Sequence, residues 1–117
     1  MEGLANYVKE DRPWGGFERF TLNEPTTVKI VSVKAGEAIS LQTHANRDEF
    51  WRVLEGSGTI TIDGGDFQAK AGDNYFGKRG MTHRVMGGEE GLRLLEIAFG
   101  AFDEQDITRL EDRYGRI

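Results

Sequence analysis

The sequence predicts an all-β fold, a small antiparallel β-barrel or jelly roll made by a single domain. With 117 residues, the chain is long enough for one hydrophobic core but has no room for a second domain. Short apolar segments recur at intervals of roughly eight to twelve residues, separated by glycine-containing turns, as is typical of antiparallel sandwiches and barrels. The sixteen glycines are dispersed among these turns and do not form a linker, so residues 1–117 are assigned to one domain.

The individual elements follow from local patterns. Residues 1–11 are mixed and polar, and we expect an N-terminal arm that packs on the domain or on a partner subunit without joining the core. Pro13 and the glycines that follow it form a turn. Apolar alternation or β-branched runs then predict strands at 17–22, 27–34, 39–44, 49–54, 59–62, 67–70, 74–76, 84–86 and 92–99. Helical spacing over 107–114, with Asp106 as a possible cap, predicts a helical tail at 106–117.

Charge and composition limit the partners. The net charge of -5 and pI of about 5.0 argue against a nucleic-acid binder, because phosphate backbones are held by basic surfaces. The absence of cysteine excludes disulfides, thiolate metal sites and thiol nucleophiles. No apolar run approaches the roughly 20 residues of a spanning helix, and the N-terminus lacks a signal-peptide core. We therefore expect a cytoplasmic protein with neither a nucleic-acid nor a membrane partner.

Four side chains near the predicted strand ends can converge on one metal ion. Gln42 and His44 lie on the same face of a strand because they are two residues apart. A second strand beginning at Glu49 can fold back opposite that pair, and His83 follows a turn-like stretch at 77–80. A lone histidine in a barrel is more often a hydrogen-bonded interior residue, but the joint spacing favours a metal site. Such nitrogen and oxygen donors suit zinc, manganese, iron, cobalt or nickel.

The same residues carry a resemblance to the cupins. The first cupin motif is matched by Gly36, Gln42-Thr43-His44, Glu49 and Gly56, with glutamine in place of the first histidine of the motif. Gly72 and Gly80-Met81-Thr82-His83 are similar to the second motif, although Lys78 stands where proline is usual.

A closer likeness rests on the segments 12–15, 41–44, 83–84, 95–97 and 110–116 together with Arg47, Glu49 and Trp51, and it covers nearly everything from Arg12 onward. In these residues the chain resembles the type II mannose-6-phosphate isomerase cupins. Asn46 and Phe50 stand where that family commonly has histidine.

This resemblance implies a metal-dependent interconversion of mannose 6-phosphate and fructose 6-phosphate through an enediolate. It also implies one divalent metal ion, for which zinc is the first expectation, and a homodimer. The chemistry needs a base, stabilisation of the enediolate oxygens and a phosphate anchor. Glu96 is the candidate base, since on its strand it points away from Leu95, Ile97 and Phe99. A salt-bridged surface glutamate is the alternative.

Basic and aromatic residues supply the candidates for substrate contacts. Arg12, Lys29 and Arg84 are candidates for phosphate, and Lys29 is also a candidate catalytic residue; solvated surface charge is the alternative for each. Trp14 could stack on a sugar ring, although a buried aromatic is the commoner role. Three functions stay open at this point: a sugar-phosphate isomerase, a cupin enzyme of another class such as an iron oxygenase, and a non-catalytic sugar-binding module.

Overall fold

The computed structural model describes residue 1 and residues 3–117, and this part of the chain forms nine β-strands and no helix. The predicted all-β antiparallel fold is thereby confirmed. The described residues include no helix that is long and apolar enough to cross a membrane. The strands are β1 (Val8–Arg12), β2 (Gly15–Arg19), β3 (Thr26–Val33), β4 (Leu41–Thr43), β5 (Arg47–Ile62), β6 (Gly65–Lys70), β7 (Asn74–Gly77), β8 (His83–Gly100) and β9 (Thr108–Glu111).

Two long strands, β5 and β8, form the centre of the main sheet. They pair antiparallel, and the pairing runs from Arg47 opposite Gly100 to Ile62 opposite His83. Strands β6 and β7 pair with β5, and strands β3 and β4 pair with β8. Strand β9 pairs with β4. Each long strand joins two segments that the sequence predicts as separate. The pairing register shifts on both sides of Gly56, which has a φ of +78°. Glycine is favoured in this left-handed region, and the strand bends there without ending.

The inner face of β5 and β8 carries the larger hydrophobic core. Alternation along the strands turns Trp51, Val53 and Leu94 inward, where they pack with Ile60 and Val85. All five of these side chains are almost completely buried. The same alternation turns Glu49, His83 and Glu96 into the interior at one end of the core. The strands that make the core therefore also position polar side chains inside the protein.

The N-terminal segment covers the outer face of the same two strands. Leu4 is only 5% exposed and packs with Phe50 and Ile97, so this part of the expected arm belongs to the core. Val8–Arg12 is strand β1 and forms a hairpin with β2 through the predicted turn after Arg12. The expectation of an arm outside the core is wrong because Phe50 and Ile97 need an apolar cover. Glu2, within the predicted arm, lies outside the described residues.

The predicted C-terminal helix is also wrong. Thr108–Glu111 forms β9, which pairs with β4. Asp106 does not cap a helix; its carboxylate accepts backbone N–H bonds from Ala45 at 2.8 Å and Asn46 at 2.9 Å. The free edge of β4 supplies backbone partners for this segment, and a spacing of apolar residues does not reveal such partners.

A charged cluster fixes the N-terminal hairpin to the main sheet. Arg52 on β5 donates two hydrogen bonds to Glu18 on β2, at 2.8 and 3.1 Å, and the hydroxyl of Tyr7 donates a third at 2.6 Å. Arg52 also lies over the ring of Phe20. The hydrogen bonds from Arg52 and Tyr7 outweigh partial burial and lower the pKa of Glu18 from 4.5 to about 2.

We expect Glu18→Gln to destabilise the protein by about 1–3 kcal/mol at neutral pH, because a charge-assisted pair is lost. Since the folded state lowers the pKa of Glu18, its contribution is present above pH 4.5 and declines as the pH falls towards 2. The stabilities of wild type and variant should converge over that range in denaturant titrations. Glu10→Gln, in an exposed ion pair with Arg12, is the control and should change stability little. A difference between wild type and Glu18→Gln that stays constant down to pH 2 would contradict this account.

Candidate functional site

A cavity of about 170 Å³ opens at the polar end of the core. Its apolar walls come from Val31, Val85 and Leu94, and polar side chains from β3, β4, β5, β8 and β9 line the rest. Other grooves are larger, such as one of about 400 Å³ between β3 and the C-terminal residues, but they are shallower and more open. Among the cavities described here for residues 1 and 3–117, the one at the polar end combines several buried ionisable side chains, so it is the candidate functional site.

His44, Glu49 and His83 meet inside this cavity. The Oε1 atom of Glu49 lies 3.3 Å from Nε2 of His44 and 3.2 Å from Nε2 of His83. All three side chains are buried, and one ligand atom from each falls within 4.8 Å of the others. Three donors from β5, β8 and the end of β4 thus face a common point, as the sequence predicts.

The geometry around Glu49 fits a bound cation. Its Oε1 is buried and has no hydrogen-bond partner among the described residues, although two imidazole nitrogens lie nearby. A buried carboxylate oxygen without a partner is costly, and coordination of a cation removes that cost. Two imidazoles and a carboxylate are ligands that divalent transition metals accept. The cluster could therefore hold a metal ion.

Backbone and side-chain contacts orient His44 for this role. Its Nδ1 lies 2.6 Å from the carbonyl oxygen of Asp106, and its Nε2 lies 3.2 Å from Nη2 of Arg47. A carbonyl can only accept and a guanidinium can only donate, so Nδ1 carries the proton and Nε2 carries the lone pair. The contact between Nδ1 and the Asp106 carbonyl thereby fixes the tautomer in which Nε2, the nitrogen with the lone pair, faces the cavity.

Gln42, the predicted fourth ligand, lines the same cavity as the cluster. It pairs with His83 on β8 and with Arg109 on β9, and its side chain lines the cavity. The amide nitrogen donates to the carbonyl of Ser40 at 3.2 Å, which leaves the amide oxygen for another partner. An oxygen donor is the atom that a divalent cation requires from glutamine.

Burial and mutual interaction set the protonation of the cluster. Burial lowers the pKa of His83 to about 4, so its imidazole is neutral at pH 7. Burial alone would raise the pKa of Glu49, but the neighbouring imidazoles of His44 and His83 favour its ionised form and lower the pKa to about 2. A neutral imidazole and an ionised carboxylate are the forms that bind metal.

Glu96, the candidate base, lies in the wall of the same cavity and is half-buried. The indole Nε1 of Trp51 donates to its carboxylate at 3.2 Å, and Lys29 is its neighbour on β3. Burial and the nearby charge of Glu49 raise the pKa of Glu96 to about 7. The outer face of β8 is packed as well, so the alternative of a surface glutamate does not apply.

The sequence alone assigns no role to several residues that the structure places at the site. Arg47 is 5% exposed and donates to Glu49 at 3.4 Å and to the carbonyl of Asp103 at 3.0 Å. Its position two residues before Glu49, and hence on the same strand face, is the signal that could have identified it. Glu104 and Arg109 also line the cavity, and no local pattern marks them because the 101–111 segment reaches the site only through tertiary contacts.

The other predicted substrate residues lie away from the cavity lining. Arg12 forms an ion pair with Glu10 in the N-terminal hairpin, and Trp14 is 74% exposed at its turn. Arg84 lies 3.3 Å from Glu111 and borders a different groove. Of the basic candidates, only Lys29 is among the residues that line the cavity.

The two positions where histidine is common in the resembling family do not contribute to the cavity lining either. Phe50 packs with Leu4 and Ile97 on the outer face of the sheet, and Asn46 is exposed. The cavity is therefore lined by side chains of residues adjacent to Asn46 and Phe50, and not by these two side chains themselves.

The fold and this buried cluster define a double-stranded β-helix protein of the cupin class. A predicted oxalate decarboxylase from Thermotoga maritima superposes with a TM-score of 0.60 at 25% identity over 63% of this chain and 65% of its own. A conserved protein with a double-stranded β-helix domain from Klebsiella pneumoniae gives 0.65 at 21% identity, over 80% and 90% respectively. The predicted jelly-roll architecture is thus confirmed.

The chain belongs to the family described as mannose-6-phosphate isomerase, C-terminal, whose sequence model matches residues 2–112. It is 36% identical over 108 residues to the mannose-1-phosphate guanylyltransferase ManC of Salmonella typhimurium, which covers 91% of this chain and 22% of that protein. The alginate biosynthesis protein AlgA of Pseudomonas syringae is 34% identical over 113 residues, 95% of this chain and 23% of AlgA. The chain therefore spans between a fifth and a quarter of the curated relatives it matches.

We expect one divalent metal ion per chain, measured by elemental analysis of the purified protein. His44→Ala and His83→Ala should each weaken metal binding by more than about tenfold, because removal of a supporting residue alone typically costs that much. Gln42→Ala should weaken it less, and Gln68→Ala, on exposed β6, is the matched control. Wild-type protein that takes up none of zinc, manganese, cobalt, nickel and ferrous iron in excess would contradict the site.

Proposed function

We propose that the chain is a metal-dependent sugar-phosphate isomerase of the mannose-6-phosphate isomerase type. The observation that carries this proposal is the position of Glu96, a half-buried carboxylic acid, in one cavity with the cluster of His44, Glu49 and His83. Membership of the family supports the same reaction class. An aldose-ketose interconversion moves one proton between neighbouring carbons, so it needs a group that can accept and return a proton.

The metal site would be formed by Gln42, His44, Glu49 and His83, with zinc as the first candidate and manganese, iron, cobalt and nickel as alternatives. A bound divalent ion would supply Lewis-acid polarisation of the substrate oxygens. Arg47 holds Glu49, and the carbonyl of Asp106 holds His44, so both ligands keep their orientation without substrate.

Glu96 would take the proton from C2 of the aldose and return it to C1, while the proton of the C2 hydroxyl passes to the C1 oxygen, so that C2 becomes the carbonyl carbon of the ketose. A group whose pKa lies near 7 exchanges protons readily at neutral pH, and burial raises the pKa of Glu96 to about 7. Trp51 donates to the carboxylate and fixes its orientation. Lys29 lies beside Glu96 on the adjacent strand, and we propose that it holds an anionic part of the substrate.

A homodimer in the cytoplasm completes the proposal. Among the described strands β3 pairs only with β8, and its outer face exposes Val28 and Ile30, which are 57% and 52% accessible. An open strand edge with apolar side chains is suited to pairing with a second copy. Light scattering behind size exclusion distinguishes a dimer from a monomer.

We expect Glu96→Gln to reduce mannose 6-phosphate turnover by about a hundredfold to ten-thousandfold, the usual cost of losing a positioned base. Metal content and thermal stability should stay near those of wild type, because glutamine keeps the size and the hydrogen-bond acceptor for Trp51. Glu89→Gln, at an exposed position of β8, is the control and should retain full activity.

Hydrogen exchange at carbon separates the possible functions. Metal-loaded wild type should exchange the transferred hydrogen of mannose 6-phosphate with deuterated solvent, as followed by NMR. Ligand-induced stabilisation without exchange would instead indicate a sugar-binding module, and oxygen consumption with iron bound would indicate an enzyme of another class.

A further inference from the structure

Arg109 brings an unused positive charge to the cavity. Its strand, β9, pairs with β4 so that Arg109 lies opposite Gln42, and its side chain lines the cavity. The Nε atom is buried and has no hydrogen-bond partner within the described residues. No carboxylate of those residues lies within 4.0 Å of its guanidinium. A buried N–H of a charged group without an acceptor is unfavourable, so an anionic acceptor from outside the chain would stabilise it.

Lys29 is the second cation of the cavity wall that a ligand can reach. Its ammonium donates to Glu104 at 2.8 Å and lies 4.5 Å from the ring centre of Phe102. The side chain of Glu104 is 72% exposed, so this ion pair is at the open end of the cavity. An exposed pair contributes little free energy, and an incoming anion can replace Glu104 at low cost.

Arg47, the third cation, is not available in the same way. It is already bonded to Glu49 and to the carbonyl of Asp103. The positive charge available for a ligand is therefore concentrated at Lys29 and Arg109. Glu96 and the cluster of His44, Glu49 and His83 line the remaining polar part of the same cavity.

We propose that Lys29 and Arg109 form the phosphate subsite of this cavity, and that Glu104 occupies Lys29 until a phosphate monoester displaces it. Arginine binds phosphate oxygens through two parallel N–H bonds, and lysine adds a point charge. A phosphate held there leaves the sugar to extend towards Glu96 and the metal ligands. The identity of the sugar rests on the proposed function, whereas binding of the phosphate group does not.

The direct test is titration of inorganic phosphate into the metal-loaded chain by calorimetry. Arg109→Gln should weaken phosphate binding by about tenfold to a hundredfold, the usual effect of losing a hydrogen bond to a charged group. Arg93→Gln removes an equal charge from an exposed pair with Glu55 and should leave the affinity nearly unchanged. Equal loss in both variants would show a general charge effect and overturn the subsite, as would wild type that does not bind phosphate.

Glu104→Gln supplies a test with the opposite sign. It removes a competing carboxylate from an exposed position, so folding is not at risk, and phosphate should bind more tightly by a few-fold. Weaker or unchanged binding would contradict the displacement of Glu104. Thermal unfolding checks that Arg109→Gln is folded, and Arg109→Lys should recover part of the affinity by restoring the charge.

Turnover separates this inference from the proposed function. If wild type isomerises mannose 6-phosphate, Arg109→Gln should raise KM for that sugar and should affect the weaker reaction of unphosphorylated mannose much less. If wild type shows no turnover but phosphate affinity falls in Arg109→Gln alone, the subsite stands and the isomerase assignment fails. If turnover is present and neither KM nor phosphate affinity responds to Arg109→Gln, the subsite fails and the isomerase assignment stands.

Discussion

The site depends on the burial of one charged group, the carboxylate of Glu49. Removing such a charge from water costs several kcal/mol unless partners compensate for it. Here His44 and His83 face one oxygen and Arg47 donates to the other. These partners must themselves be held in place. The segment after β8 does this, because its carbonyl oxygens bind both Arg47 and His44. A chain segment without regular structure is thus fixed in place by the charge at the centre.

The second constraint is that β5 and β8 are packed on both faces. Trp51 and Leu94 point into the core beside the cavity, while Phe50 and Ile97 point outward and are covered by Leu4. The N-terminal segment therefore supports the site without contributing to its lining. These strands both form the core and position the cavity side chains. Trp51 links the two roles, because it belongs to the core and donates a hydrogen bond to Glu96. Packing on both faces holds Glu96 and the candidate metal ligands in position relative to one another.

Much of this protein was predictable from local patterns. Strand alternation places Gln42 and His44 on one face, and the turns before Glu49 and His83 let two further strands bring these side chains opposite that pair. The same alternation puts Glu96 on the face opposite Leu95 and Ile97, but it does not say which of the two faces is the inner one. Glycine-rich turns predict the antiparallel architecture, and the motif residues predict the family, which the match to residues 2–112 confirms. The assigned reaction stays a prediction.

By itself, then, the sequence determined the fold class and the family and predicted a metal-ligating set, since each rests on short-range spacing. The tertiary structure decided which faces are covered and what completes the cavity. The segment predicted as a helix forms strand β9, because backbone groups at the edge of β4 are its hydrogen-bond partners and no local pattern shows them. In the same way the tertiary structure brought Arg109 and Glu104 to the site and left Arg12 and Arg84 paired elsewhere. These features depend on long-range backbone pairing and on the compensation of buried charge. Both join residues that are distant in the sequence, so local patterns do not reveal them.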